Sequence, residues 1–239
     1  VLSVLVEKVR EKREDEWLAK IAEWKREYPL TYEEKPGVIS PQRVIQEIYE
    51  VTEGNAICTA DVGQHQMWLA QYYIFREPRR HLSSGGLGAM GYGFPAAIGA
   101  AVGRPDLPVW SITGDGGFQM TSQELATVRK YNIPVKIAII NNSYLGMVRQ
   151  WQELLYNRRY SASDLHDNPD FVKLAEAYGI PGMRVSRPEE LRPALEQAAA
   201  TEGPVLLDIH VDPEANVFPM IPAGMSVAEM IGKKGRLGT

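Results

Sequence analysis

Asp115 and Asn142 are the residues whose types and spacing point most directly to chemistry. Asp115 lies in Gly114-Asp115-Gly116-Gly117, Asn142 lies in Asn141-Asn142, and 27 positions separate them (142 − 115). A carboxylate and an amide both offer oxygen, the atom Mg2+ selects, and this ion is usually shared between one or two protein groups, phosphate oxygens and water in a near-octahedral shell. A backbone carbonyl just past Asn142, such as that of Tyr144, would leave room for diphosphate oxygens and a water. Gly114, Gly116 and Gly117 let a bulky group approach the backbone, and a helix after them would offer its N-terminus to an anion. Each half alone is ordinary, since Gly-Asp-Gly is a common tight turn and Asn-Asn a common turn or cap. The pair gains weight from where the chain places it.

Two short β-branched runs, 109–113 and 135–140, read as strands, with a helical segment at about 121–130 between them. That length suits a right-handed crossover between parallel strands. Asp115 and Asn142 then leave the sheet on one carboxyl edge, where open α/β folds bind ligands. No Gly-x-x-x-x-Gly-Lys-Ser/Thr loop is present, and no Gly-x-Gly-x-x-Gly with an acid beyond it follows the first of these strands, which disfavours P-loop and dinucleotide-binding readings.

The remaining elements must position this pair. Ser40-Pro41 supplies a cap and opens a helix to about residue 51. Residues 56–60 form the first core strand, which runs into Asp61-Val62-Gly63-Gln64-His65-Gln66-Met67-Trp68, a polar loop turning into a helix. His65 there is either a satisfied surface or cap group or a donor to phosphate. The glycine-rich stretch 83–95 holds Leu87, Met90, Tyr92 and Phe94, which a flexible linker would not carry, and a small-residue helix follows over 96–103. Residues 145–156 read as a helix bearing Met147, Gln150 and Trp151, with Trp151 either packed in the core or shaping a pocket. Asn168-Pro169 opens a helix to about 178, residues 183–185 make a short strand, Pro188 opens a helix to about 200, and 204–211 closes the sheet. The repeated βα pattern predicts an α/β fold in three layers, an open, mainly parallel sheet with helices on both faces. Residues 1–37, with Val9, Trp17, Ile21 and Trp24 as a stripe among charges, are expected to be a linker or docking helix, 38–211 the binding domain, and 212–239 a tail or lid.

Composition narrows the partners. The chain has 239 residues and a formal net charge of −4, with no clustered basic face, so neither nucleic acid nor an anionic membrane is expected as its partner. Cys58 is the one cysteine, which allows no internal disulfide. No secretory leader or bilayer-length apolar run is seen, and the expected location is the cytoplasm, or the plastid in a plant. The sequence starts at Val1, as a piece of a longer polypeptide would.

The spacing of GDG and NN resembles the diphosphate-binding signature of thiamine-diphosphate enzymes. Together with DVGQHQMW, SSGGLGAMGYGFPAAIGA, IINNSYLGMVRQWQELLY and PDFVKLAEAYG, it resembles the carboxy-terminal third of the catalytic subunit of acetohydroxyacid (acetolactate) synthase, over about residues 39–231. The resemblance implies that Asp115, Asn142 and the Tyr144 carbonyl ligate Mg2+ and that Gly114, Gly116 and Gly117 meet the diphosphate. Gly117 departs from the serine or alanine usual there. Gly63, Gln64 and His65 would lie near the diphosphate, with Leu145, Gly146 and Met147 continuing the cofactor contacts. Gly88 would touch the aminopyrimidine, and Met90 would be the apolar wedge that bends thiamine diphosphate. Met147 and Trp151 would line the substrate pocket, the tryptophan favouring 2-ketobutyrate.

The implied reaction is a carboligation. Pyruvate is decarboxylated and its remainder joins a second 2-ketoacid to give 2-acetolactate or 2-aceto-2-hydroxybutyrate, entry compounds of branched-chain amino-acid synthesis. A glutamate from a pyrimidine-binding domain on a neighbouring subunit would complete the site, so the isolated chain is expected to be inactive and to work as a homo-oligomer, with a regulatory subunit as a further candidate partner. FAD would belong to a middle domain this chain does not resemble. Two alternatives stand beside this reading, a non-catalytic Mg2+/diphosphate-binding module and another pyruvate-using thiamine-diphosphate enzyme.

Overall fold

The long apolar runs are strands buried on both faces, as parallel strands must be. In the computed structural model, which describes residues 2–10, 12–232 and 235–236, the chain divides into two compact units between Tyr32 and Glu33. The first holds α1 (Leu2–Lys8) and α2 (Asp15–Glu27). The charged stripe expected as one helix is therefore two. After Val9 the connecting residues are charged and offer nothing apolar to pack. Within α2, Trp17 and Trp24 meet edge to face with ring centroids 5.5 Å apart, and no residue of the helix is buried.

The second unit continues with α3 (Pro41–Val51), β1 (Ile57–Ala60), α4 (Gln64–Tyr72), β2 (His81–Ser83), α5 (Gly93–Gly103), β3 (Val109–Gly114), α6 (Asp115–Thr121), α7 (Leu125–Tyr131), β4 (Val135–Asn141), α8 (Gly146–Leu155), α9 (Phe171–Ala177), β5 (Gly182–Val185), α10 (Pro188–Ala200) and β6 (Val205–His210). A short antiparallel pair, β7 (Ile231–Gly232) and β8 (Gly235–Arg236), follows. The six strands β1 to β6 form one sheet in the order β2-β1-β3-β4-β6-β5, and every pairing is parallel. The expected α/β sheet is thus wholly parallel. Alternation along the strands splits the core: Val109, Val135, Ile137 and Ile139 pack with Phe94, Phe118, Leu125 and Phe171 of α5, α6, α7 and α9. The intervening residues Trp110, Ile112 and Ala138 are equally buried on the other side, where α4 lies along β1 and β3 and packs with α3.

The chain leaves β1 for β2 on one side and returns to β3 on the other. The carboxyl ends of β1 and β3 therefore flank a switch point, the crevice that doubly wound sheets offer to ligands.

Several local expectations are corrected. The crossover from β3 to β4 is helical from Asp115 onward, not from about 121, with a 3-10 turn at Ser122–Glu124 joining α6 to α7. Two adjacent glycines hide this helix start, because glycine disfavours helix on propensity. Helix α5 begins at Gly93 rather than 96, and β2, three half-buried residues, was not anticipated. Ser40 sits at the N-cap of α3 without capping it, and its hydroxyl donates to the Glu33 carbonyl at 3.3 Å. The cap of α9 is Asp170, which accepts from the Lys173 amide, and not Asn168. No helix among the described residues is long and apolar enough to cross a membrane.

Candidate functional site

At the switch point lies a cavity of about 320 Å³ walled by the ends of β1, β3 and β4 and the starts of the helices that follow them. Gly63, Gln64 and His65 come from the first, Gly114, Asp115, Gly116 and Gly117 from the second, and Asn142, Tyr144, Leu145, Gly146 and Met147 from the third, while Met90 closes a side. Most residues singled out in the sequence therefore meet in one place. Gly88 and Trp151 do not line the cavity. Gly88 is exposed with φ +65, and Trp151 is half-buried one turn beyond Met147 on α8.

Asp115 is 1% exposed. Burial pushes its carboxyl up to about 6, against the Asn168 amide, which donates to Oδ2 at 2.7 Å, and the first backbone amides of α6. Among the described residues no lysine, arginine or histidine forms an ion pair with it. A buried carboxylate with so little compensation is costly when charged, and a bound divalent cation would relieve that cost.

The β4 end is built to present Asn142 and Tyr144. Ser143 takes φ +57, and the Asn141 carboxamide oxygen accepts its N–H at 3.1 Å. Asn141 is held by its Nδ2 on Asp208 at 2.8 Å. Asn142 Oδ1 accepts the Tyr144 amide at 3.0 Å. Tyr144 also bridges Asp164 in antiparallel fashion, through bonds from Leu145 N to the Ser163 carbonyl and from Leu165 N to the Ser143 carbonyl. In such a non-hydrogen-bonded pair the residue's own N–H and C=O face away from the bridging strand. The Tyr144 carbonyl thus lies on the side to which its N–H points, that of Asn142.

His65 is 6% exposed, and burial pulls its imidazole down to about 3, so the ring is neutral. Its Nε2 is buried and has no hydrogen-bond partner among the described residues. The ring presses on backbone: a Cβ at Gly114 would stand 3.0 Å from Cε1, and at Gly63, whose φ is +150, equally close. If it carries the ring proton, that nitrogen in its glycine-lined hollow would suit an anionic oxygen. Close packing also explains two other glycines. A Cβ on Gly117 would fall 1.7 Å from Asp61 Oδ2, and one on Gly146 2.1 Å from Gln64 Oε1. Met90 lies alongside, its terminal methyl 3.8 Å from where a Gly116 Cβ would be. Oxygen donors, an unpaired nitrogen and bare backbone together suit a metal-bound diphosphate.

Three groups escaped the sequence reading. Asp61 is fully buried and accepts the Gly91 amide at 2.7 Å, tying the glycine-rich stretch to the end of β1. Asn168, expected to start a helix, instead holds Asp115 and is itself held by Gln119 at 2.6 Å. Gln150, buried on α8, joins residues 215–217 to the site. Asp61 at a strand end was a readable signal. The other two depend on partners 53 and 67 residues away in sequence.

The sequence has known relatives. Residues 61–209 match the family described as thiamine pyrophosphate enzyme, C-terminal TPP binding domain, and the chain belongs to that family. More particularly, it is 48% identical to acetolactate synthase 1, chloroplastic, of Nicotiana tabacum over 222 residues, which are 90% of this chain and 33% of that protein. It is 49% identical to the mitochondrial acetolactate synthase catalytic subunit of Saccharomyces cerevisiae over 226 residues, 92% of this chain and 33% of that protein. With the acetolactate synthase large subunit of Haemophilus influenzae the identity is 44% over 221 residues, 92% and 39% of the two. The resemblance read from the motifs is borne out, and the chain spans about a third of the length of the relatives it matches.

Proposed function

We propose that this chain is the diphosphate- and Mg2+-holding part of a thiamine-diphosphate-dependent acetolactate synthase, which decarboxylates pyruvate and joins the remainder to a second 2-ketoacid. The observation that carries the reading is Asp115, a buried carboxylate that has no ion-pair partner among the described residues and lines one cavity with Asn142 and His65, whose Nε2 has no hydrogen-bond partner among them either. Asp115, Asn142 and the Tyr144 carbonyl would hold Mg2+, and His65 Nε2 would donate to a diphosphate oxygen. Gly114, Gly116 and Gly117 leave the backbone open to the phosphates. Bound thiamine diphosphate would supply the electron sink for the decarboxylation. Met90, half-buried beside Gly116, would support the bend of the cofactor, and Met147 in the wall would exclude water from the reacting carbon. Trp151, outside the cavity wall, would meet the second ketoacid farther out and favour 2-ketobutyrate.

The names of the relatives support a larger assembly. One is a catalytic subunit and another a large subunit, each about two to three times the length matched here. The proposal therefore places the pyrimidine-binding domain, its glutamate and any FAD-holding domain outside this chain, with turnover dependent on them and on an oligomer formed across the cofactor site.

Calorimetric titration of thiamine diphosphate tests the reading. Heat is expected with Mg2+ and not with EDTA, and Asp115→Ala is expected to abolish it. In the longer protein, acetolactate should form from pyruvate and be lost with the same substitution. Mg2+-independent binding, or binding indifferent to Asp115, overturns the assignment.

A further inference from the structure

A chain of side-chain amides runs from the backbone of residues 215–217 to Asn142. Gln150, fully buried, accepts the Val217 N–H on Oε1 at 2.8 Å and donates from Nε2 to the Val217 carbonyl at 3.0 Å and to Met220 Sδ at 3.3 Å. Its Oε1 also accepts Nε2 of Gln64 at 2.9 Å, and the same Nε2 donates to the Ala215 carbonyl at 2.9 Å. Gln64 Oε1, left as an acceptor, takes Nδ2 of Asn142 at 3.2 Å. Asn142 Oδ1 is then the end that faces the Tyr144 amide.

An amide side chain has two chemically opposite ends of nearly equal shape, so its orientation is set by its partners. A backbone N–H can only donate and a backbone carbonyl can only accept. Val217 therefore fixes which way Gln150 points, Gln150 with Ala215 fixes Gln64, and Gln64 at Nδ2 acts together with the Tyr144 N–H at Oδ1 to fix Asn142. A reversed Asn142 would face the cation with an NH2 group, which cannot ligate it.

We infer that Gln64 and Gln150 are positioning residues that transmit the polarity of the 215–217 backbone to Asn142 and so hold its oxygen ready for Mg2+. The inference rests on the reading of Asn142 as a metal ligand. It gives residues 215–217 a part in metal affinity although none of them lines the cavity. Gly146 completes the device, since a Cβ there would lie 2.1 Å from Gln64 Oε1 and 2.6 Å from Asn142 Nδ2, across the last link.

The test is Mn2+ binding in the presence of thiamine diphosphate, followed by electron paramagnetic resonance on the full-length protein that carries this chain. Gln150→Leu, which removes both ends of the first link, is expected to weaken Mn2+ by about tenfold, the loss of roughly one well-placed hydrogen bond. Gln150→Glu keeps the acceptor facing Gln64 and Val217 N–H and should lose at most about threefold. The same pair is then made with Asn142→Asp, whose two oxygens carry no polarity to be set. There Gln150→Leu should no longer weaken Mn2+, whereas a merely structural role for Gln150 predicts the same loss in both backgrounds and overturns the inference. Should Gln150→Leu not fold, Gln64→Met breaks the last link instead and is read in the same two backgrounds. Asp115→Ala separates the two levels: if it leaves Mn2+ binding intact, the metal site itself is misassigned, and if it abolishes binding while the glutamine variants do nothing, the relay alone fails.

Discussion

Asp115 and Asp208 stand on the same sheet, near the carboxyl ends of β3 and β6, and both are 1% exposed, yet the protein treats them in opposite ways. Burial pushes both carboxyls up. For Asp208 this is overcome by His210 Nε2 at 3.2 Å, Asn141 Nδ2 at 2.8 Å and Arg184 Nε at 3.4 Å, which together hold it below the ordinary range. Asp115 has one side-chain donor, Asn168, and rises to about 6. One charge is answered from within the fold. The other is answered far less, and a buried carboxylate left in that way is a candidate for function.

The sharpest way to break this comparison is to make one substitution at both places. Asp115→Asn should reduce Mg2+-dependent binding of thiamine diphosphate by at least about a hundredfold, because a charged ligand of a hard cation is lost. Without metal it should leave the protein as stable or more stable, since an uncompensated buried charge is removed. Asp208→Asn should lower stability by about 1–3 kcal/mol, because the carboxamide keeps an oxygen for Asn141 but turns an NH2 towards His210 and Arg184. Urea unfolding of both variants without Mg2+ reads the difference, and the same sign at both positions would dissolve the contrast.

Next in size is acid sensitivity. Burial holds the His65 imidazole at about 3, well below its ordinary 6.5, so the unfolded chain takes up a proton that the folded one refuses. Its neutral burial contributes fully above pH 6.5, and stability falls as pH drops from there towards 3, by on the order of 5 kcal/mol in total. His65→Gln should flatten this acid limb in denaturant titrations between pH 7 and 4. Gly117→Ala should cost about 1–3 kcal/mol, because its Cβ falls 1.7 Å from Asp61 Oδ2 and must push that side chain off Thr113 and Gly91. Thermal unfolding measures it. The smallest effect is expected at Gly88→Ala, where φ is +65 but space is open: about 1 kcal/mol of strain.

How much of this was legible depends on how far each residue's partners lie along the chain. The strands β3 and β4 are continuous β-branched runs, and their ends follow directly, so Asp115 and Asn142 could be put on one edge from sequence. Gln64 and His65 followed in the same way from β1. Asn168 could not be assigned, because its neighbour Pro169 argues equally for a helix start and its partner is Asp115. The insertion of β6 between β4 and β5 was also invisible, since local pattern gives strands and not their order. Gln150 sits on a helix whose pattern gives no sign that a polar residue there is fully buried, and its value lies in a backbone 67 positions on.

That separation has a consequence for how the protein is made. Val217 follows Asn142 by 75 residues (217 − 142), and β6 lies between them in the chain. A nascent chain halted after β4 would expose Asp115 and Asn142 with neither glutamine yet oriented. On the proposed relay, an oriented Asn142 therefore requires a chain that extends past Val217, and a version ending before that residue should bind Mn2+ more weakly.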